Sequence, residues 1–327
     1  MPLTESAILN RREALIKLLR LGGVAAGTAG LGLWLSEHSQ HPEPELAINL
    51  KRSHAVAVDP VLPEMAVIQG DDPEQLVRTA IEELGGIHRF VSRADIVLVK
   101  PNIGWDRMPE QAATTNPDVV STIVHLCYEA GAKRVLVSDN SCNSAQRSFA
   151  RSGIQEAAEK AGAQVFFLDE RKFRRMAMNG RVLREWELYQ DAVEADRLIN
   201  VAIVKHHGLC KATLGMKNLM GLAGGARNRF HQDLDNSLVD IAAFLKPRLT
   251  VLDAVRVLTA NGPVGGNLAD VNRRDTIVAG VDQVAVDAFG ATLLGHKPED
   301  IGYVVQGAAR GLGTMNYQSL SPRLIEV

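Results

Sequence analysis

Three cysteines in 327 residues, Cys127, Cys142 and Cys210, are too few for a disulfide framework, and their spacing matches no zinc or iron–sulfur pattern. Aromatic residues make up only 5% of the chain and the formal net charge is −2. A base-stacking surface and a polyanion-binding composition are therefore both missing, which argues against a nucleic-acid partner. Also absent are G-x-x-x-x-G-K-[ST], a full G-x-G-x-x-G and G-x-S-x-G. Their absence argues against a P-loop NTPase, a standard dinucleotide enzyme and a serine hydrolase. No internal repeat and no long low-complexity tract interrupts the chain.

Hydrophobic residues, at 46% of the chain, are enough for a large core. Asn10-Arg11-Arg12 precedes a short apolar, glycine-rich run from Leu21 to Leu35. Paired arginines before such a run predict a twin-arginine-like export signal or an uncleaved anchor over residues 1–36, hence a periplasmic or cell-envelope location with an N-terminal membrane tether as one outcome. The run is shorter than the roughly 20 residues of a full span. Residues 37–54, with His38, His41, Pro42 and Pro44, read as a linker, and 55–327 as a single α/β domain.

Within that domain, apolar strands alternate with helices. Strands are predicted at 55–58, 65–69, 95–99, 134–137, 164–168, 198–204, 249–252 and 276–279. Helices are predicted at 72–84, 115–130, 153–161, 234–245, 283–294 and 299–310. Asp72-Pro73 and Asn116-Pro117 supply an N-cap followed by proline at the first helical position. Fully apolar strands separated by helices predict a mostly parallel sheet covered by helices on both faces. Residues 173–188 break the rhythm. Asn179-Gly180 between two β-prone runs predicts an inserted β-hairpin there.

Five of the strands end in a polar or charged residue: Lys100, Asp139, Lys205 with His206, Asp253 and Asp282. Ligands of open parallel sheets bind beyond the carboxyl ends of the strands, so these residues are candidates for one site. For Asp282 the N-cap of the following helix is the better reading. The stretch from Leu198 to Gly225 concentrates the chemistry. An apolar strand runs into Lys205-His206-His207-Gly208, followed by Lys211, Lys217, Asn218 and Gly221, and closed by Gly224-Gly225. Lys205, His206, His207 and Lys100 are the candidate proton-transfer and catalytic groups. Asn102, Lys211, Lys217, Asn218, Gly224, Gly225 and Gly265 are candidate substrate contacts. Of the adjacent histidines, extended backbone turns only one toward the site. His206 (or His207), His231 and an aspartate, Asp139 or Asp253, are candidate ligands of a divalent metal, although no pair has diagnostic helical spacing. The plain alternative is a lysine–histidine constellation that binds an anion and moves protons.

LVKPNIG from Leu98, TNPDVV, GAKRVLVSDNS, NVAIVKHHGLCKATLGMKNLMG, LTVLDAVRVLTANGPVGG and VDQVAVDAFGATLLG occur in order over roughly residues 55–315. Together they resemble the family catalogued as domain of unknown function 362. Members of that family are often exported by the twin-arginine route or fused to a ferredoxin-like segment. This chain has the former kind of leader and lacks the latter's cysteines, so the resemblance implies no iron–sulfur cluster from this chain. The lysine and histidine arrangement also invites a loose comparison with nickel-dependent lactate racemase.

The expectation is an exported enzyme acting on a small anionic substrate, carboxylate or phosphate, at the strand ends, with or without metal assistance. The alternative is a non-catalytic metal- or cofactor-binding protein, or a redox accessory serving an exported respiratory partner.

Overall fold

A computed structural model of the chain describes residues 54–56 and 59–327. The predicted leader and nearly all of the predicted linker lie outside those residues. So does half of the strand expected at 55–58, and 54–56 form no regular element.

The strands are β1 (Met65–Gln69), β2 (Ile96–Pro101), β3 (Arg134–Val137), β4 (Gln164–Val165), β5 (Phe173–Ala177), β6 (Glu185–Tyr189), β7 (Arg197–His207), β8 (Lys211–Thr213), β9 (Leu249–Leu258), β10 (Val271–Gly280) and β11 (Arg323–Glu326). Nine of them form one sheet in the order β11-β1-β10-β9-β7-β2-β3-β4, with β8 added along β7. From β9 through β4 every pair in that order is parallel. The exceptions are β10, antiparallel to both β9 and β1, and β8, antiparallel to β7.

The helices are α1 (Pro73–Glu83), α2 (Pro117–Glu129), α3 (Ala145–Arg151), α4 (Ile154–Lys160), α5 (Gln190–Glu194), α6 (Gly215–Asn218), α7 (Leu234–Leu245), α8 (Gln283–Leu293) and α9 (Gly302–Ala309). The predicted caps operate. Asp72 accepts from Glu74 N at 2.9 Å and Asn116 from Asp118 N at 3.1 Å, each with proline at the first helical position.

Alternate residues of the central strands enter two separate cores. Val97, Val99, Ile199 and Val201 pack with α1, α2 and α4 on one face. Leu98, Leu198, Ala202 and Val204 pack with α7, α8 and α9 on the other. This is why these strands read as continuous apolar runs. Each buried Val, Leu or Ile contributes on the order of 2 kcal/mol relative to exposure.

Some expectations hold and others need correction. Because β10 runs against its neighbours, Asp282 leaves the sheet at the opposite edge from Lys100. It caps α8, the reading the sequence favoured, accepting from Val284 N and Ala285 N at 2.9 Å each. Strand β9 does not stop at Asp253 but continues to Leu258, through an irregularity in its pairing with β7. The hairpin β5–β6 is present, paired from Phe173↔Tyr189 to Ala177↔Glu185. Its connection is a seven-residue loop (178–184) rather than a tight Asn-Gly turn. Asp240 of α7 gathers that loop, accepting from the backbone N–H groups of Arg181, Val182 and Leu183 at 2.8–2.9 Å. A loop whose amides are satisfied by a distant carboxylate has no local sequence signature.

Candidate active site

The carboxyl ends of β2, β3 and β7 border a cavity of about 400 Å³. Its lining includes Lys100, Asn102, Asp139, Lys205, His207, Lys217, Asn218 and His231, all named from the sequence. Among the described residues, Asp139 is the one acidic group in the lining.

Lys100 and Asp139 are both buried, at 1% and 3% exposure, and form an ion pair of 2.8 Å. Lys100 Nζ also donates to Pro101 O and Asn218 Oδ1 at 2.8 Å each. An ammonium has three hydrogens, so Lys100 is saturated. Burial pulls its pKa down while Asp139 opposes the shift. Asp139 in turn accepts from Ile103 N at 2.6 Å and Asn140 N at 2.8 Å. This pair fixes the ends of β2 and β3 and leaves Lys100 no hydrogen for a ligand. Gly221 lies over it. A Cβ there would strike the Asp139 carboxylate and come within 2.6 Å of Lys100 Nζ.

Lys205 is equally buried but lacks a carboxylate partner among the described residues. Its Nζ donates to Ala113 O at 2.6 Å and Asn102 Oδ1 at 3.1 Å. Burial, with Lys217 nearby, pushes its pKa down to about 7. Two acceptors occupy two of its hydrogens, so the third position is either a proton or a lone pair. Near neutrality both forms are populated, which is the condition for a general acid or base. Asn102 Nδ2 donates to Asn218 Oδ1 at 2.9 Å, and Asn218 Nδ2 donates to Asn200 Oδ1 at 2.9 Å. A chain of amides thus ties the two lysines together beneath the cavity.

Strand pairing settles which histidine faces the site. Lys205, His207 and Thr213 share one side of the β7–β8 ribbon and all three line the cavity. His206 points to the other side, where its Nδ1 accepts from Gly262 N at 3.1 Å. The Nδ1 of His207 accepts from Leu209 N at 3.2 Å and Cys210 N at 3.4 Å. Burial and the nearby Lys217 and Lys205 push its pKa down to about 3. At neutral pH the ring is therefore uncharged, with its proton on Nε2.

Other candidates fall outside. Lys211 is exposed and lies 3.6 Å from Asp300. Gly224 packs on the Phe173 ring, Gly225 beside Glu187 and Gly265 on Leu258, none of them lining the cavity. The neighbouring Gly262, Pro263 and Val264 do line it. Asp253 is buried within β9, where its carboxylate accepts from Asn116 N at 2.7 Å and Val255 N at 3.0 Å, and burial raises its pKa to about 6. The expected metal cluster is not assembled. His207 and His231 both line the cavity, but Asp139 is held by Lys100 and Asp253 accepts from backbone amides outside the lining. Among the described residues no group of three His, Cys, Asp or Glu side chains is placed to hold a metal ion. No step is assigned to a metal on this donor set.

Sequence reasoning missed Arg227, Thr213 and Trp105 in the lining. Arg227 donates to Asn140 O at 3.1 Å and Asn140 Oδ1 at 3.2 Å and has no carboxylate partner among the described residues. Its position two residues beyond Gly224-Gly225 was the available signal.

A family model described as "Domain of unknown function (DUF362)" matches residues 97–292, more than half of the chain. The chain belongs to that family. The matched DUF362 span contains every lining residue of the cavity, from Lys100 to Val264. A thylakoid-associated protein of Synechocystis sp. is 29% identical over 237 residues, covering 69% of this chain and 71% of its own. Among solved structures, the lactate racemase apoprotein of Thermoanaerobacterium thermosaccharolyticum is similar, with a TM-score of 0.43 and 12% identity over 72% of this chain. A Thermotoga maritima protein gives a TM-score of 0.38 and 13% identity over 69% of this chain. The match spans 58% and 59% of the lengths of those two structures.

Proposed function

We propose that this DUF362 protein is an enzyme acting on a small anionic substrate, a carboxylate or phosphate, in the cavity at the ends of β2, β3 and β7. One observation carries the reading. Arg227 lines, beside the Lys205 and Lys217 amines, a cavity whose single carboxylate among the described residues is already bound to Lys100. A guanidinium with no carboxylate to compensate it favours an anion. Lys205 is the proton-transfer group, since its two acceptors stay in place whether its third position holds a proton or a lone pair. Neutral His207 supplies an uncharged donor beside it. An exported, cell-envelope location belongs to the same proposal and rests on Arg11-Arg12 and the apolar run that follows.

The test has two readouts. Titration calorimetry with acetate, lactate and inorganic phosphate is expected to detect binding that weakens at least about tenfold, roughly 1.4 kcal/mol, in Arg227→Met. Exchange of carbon-bound hydrogen in a panel of short carboxylates, followed by NMR in D2O, is expected to slow at least about 100-fold in Lys205→Met. No binding of any anion sinks the reading. Binding without turnover favours the alternative of a non-catalytic binding protein.

A further inference from the structure

Lys217 is a buried amine whose surroundings differ from those of the other two lysines. Lys100 uses three acceptors and Lys205 two. Lys217, only 9% exposed, has the Met220 thioether at 3.7 Å as its hydrogen-bond contact and no oxygen partner among the described residues. An ammonium removed from water without an acceptor is costly, whereas a neutral amine is not. Burial pulls its pKa down, with Arg227 adding to the shift and the Cys210 and Cys142 thiols opposing it. The backbone beneath it is fixed from both sides. Asp287 of α8 accepts from Gly215 N at 2.7 Å and Met216 N at 2.9 Å at the start of α6. The next residue, Asn218, is locked by Lys100, Asn102 and Asn200. A rigidly presented, poorly solvated amine beside other cationic groups is how a lysine becomes a nucleophile toward a carbonyl.

We propose that Lys217 forms an imine with the carbonyl carbon of a short oxo acid whose carboxylate is held by Arg227. The proposal rests on the anion-site reading above and narrows its substrate class to carboxylates that also carry a ketone or aldehyde. The step balances without oxidant or reductant. The Nζ lone pair attacks the carbonyl carbon, forming the C–N bond and opening the C=O π bond, and a proton passes from the nitrogen to the new alkoxide through solvent to give the carbinolamine. Lys205 then delivers a second proton to the carbinolamine oxygen, the nitrogen lone pair forms the C=N bond as the C–O bond breaks, and water departs. Thr213 stands directly opposite Lys205 in the β7–β8 register, lines the cavity and is 4% exposed. Its Oγ1 is a buried atom with no hydrogen-bond partner among the described residues, and it is the donor assigned to that same oxygen.

Reductive trapping decides the matter. Full-length protein is incubated with pyruvate and sodium cyanoborohydride, followed by intact mass measurement and peptide mapping. The expected result is one stoichiometric reduced adduct on the peptide carrying Lys217. Acetate should slow its formation, as should Arg227→Met by about tenfold, and Lys217→Met should abolish it. If Lys217→Met does not fold, the wild-type peptide map still locates the adduct. An unmodified Lys217 peptide, with label absent or scattered over exposed lysines while acetate still binds, overturns the imine and leaves the anion site standing. Failure of acetate binding as well overturns both.

Discussion

Lysine chemistry in this protein is set by acceptors more than by position along the strands. Lys100 and Lys205 are equally buried and both follow apolar runs, yet among the described residues only Lys100 has a carboxylate. Lys205, pushed down to about 7 by burial and Lys217, should leave a mark on stability. An unfolded lysine holds its proton to about pH 10.4. Between roughly pH 7 and 10 the folded protein has therefore released a proton that the unfolded chain keeps, and stability rises with pH there. Below pH 7 both states are protonated, and the folded state carries the full cost of the buried charge. Denaturant titrations at pH 7 and pH 9 should show wild type gaining on Lys205→Met by at most about 1.4 kcal/mol per pH unit. An unchanged difference would mean that Lys205 titrates normally. That a lysine follows the apolar run of β2 and of β7 was legible in the sequence. Which of them is already saturated was not, because the partners Asp139, Asn218, Asn102 and Ala113 are distant in the chain and meet only after the strands align.

Among the elements, the β5–β6 hairpin looks peripheral to the sheet but braces the site. Trp186 of β6 donates through Nε1 to Gly224 O at 3.1 Å, packs 4.4 Å from the Phe230 ring and lies under Arg229 at 5.6 Å. These contacts grip both ends of the segment that carries Arg227. Trp186→Ala should cost about 2 kcal/mol, since the ring is half-buried, and should also weaken anion binding severalfold. Chemical denaturation and calorimetry on the same variant check both, and a stability loss with unchanged affinity would confine the hairpin to a structural role. The hairpin's existence and place could be read from its β-prone runs around Asn179-Gly180. Its bracing role could not, since it depends on Trp186 meeting a loop some 40 residues further on.

At the scale of the whole molecule, the buried members of both hydrophobic cores come, among the described residues, from Met65 onward and the cavity lining from Lys100 onward. In cell fractionation, replacing Arg11 and Arg12 by lysine in the full chain should shift the protein out of the envelope fraction. An unchanged distribution would remove the export proposal and leave the site untouched.

The α/β alternation, the helix caps at Asp72 and Asn116, and the concentration of chemistry between Leu198 and Gly221 follow from the sequence by itself, because apolar periodicity and capping are local properties. Only the tertiary structure decided that β10 runs antiparallel, which sends Asp282 to the far edge, and that His207 rather than His206 faces the cavity. It also decided that Asp139 is bound to Lys100 while Lys217 has no oxygen partner among the described residues. The physical reason is common to them. Strand direction, ribbon side and ion pairing are relations between segments far apart in the chain, and the sequence records each segment's preferences without recording which segments meet.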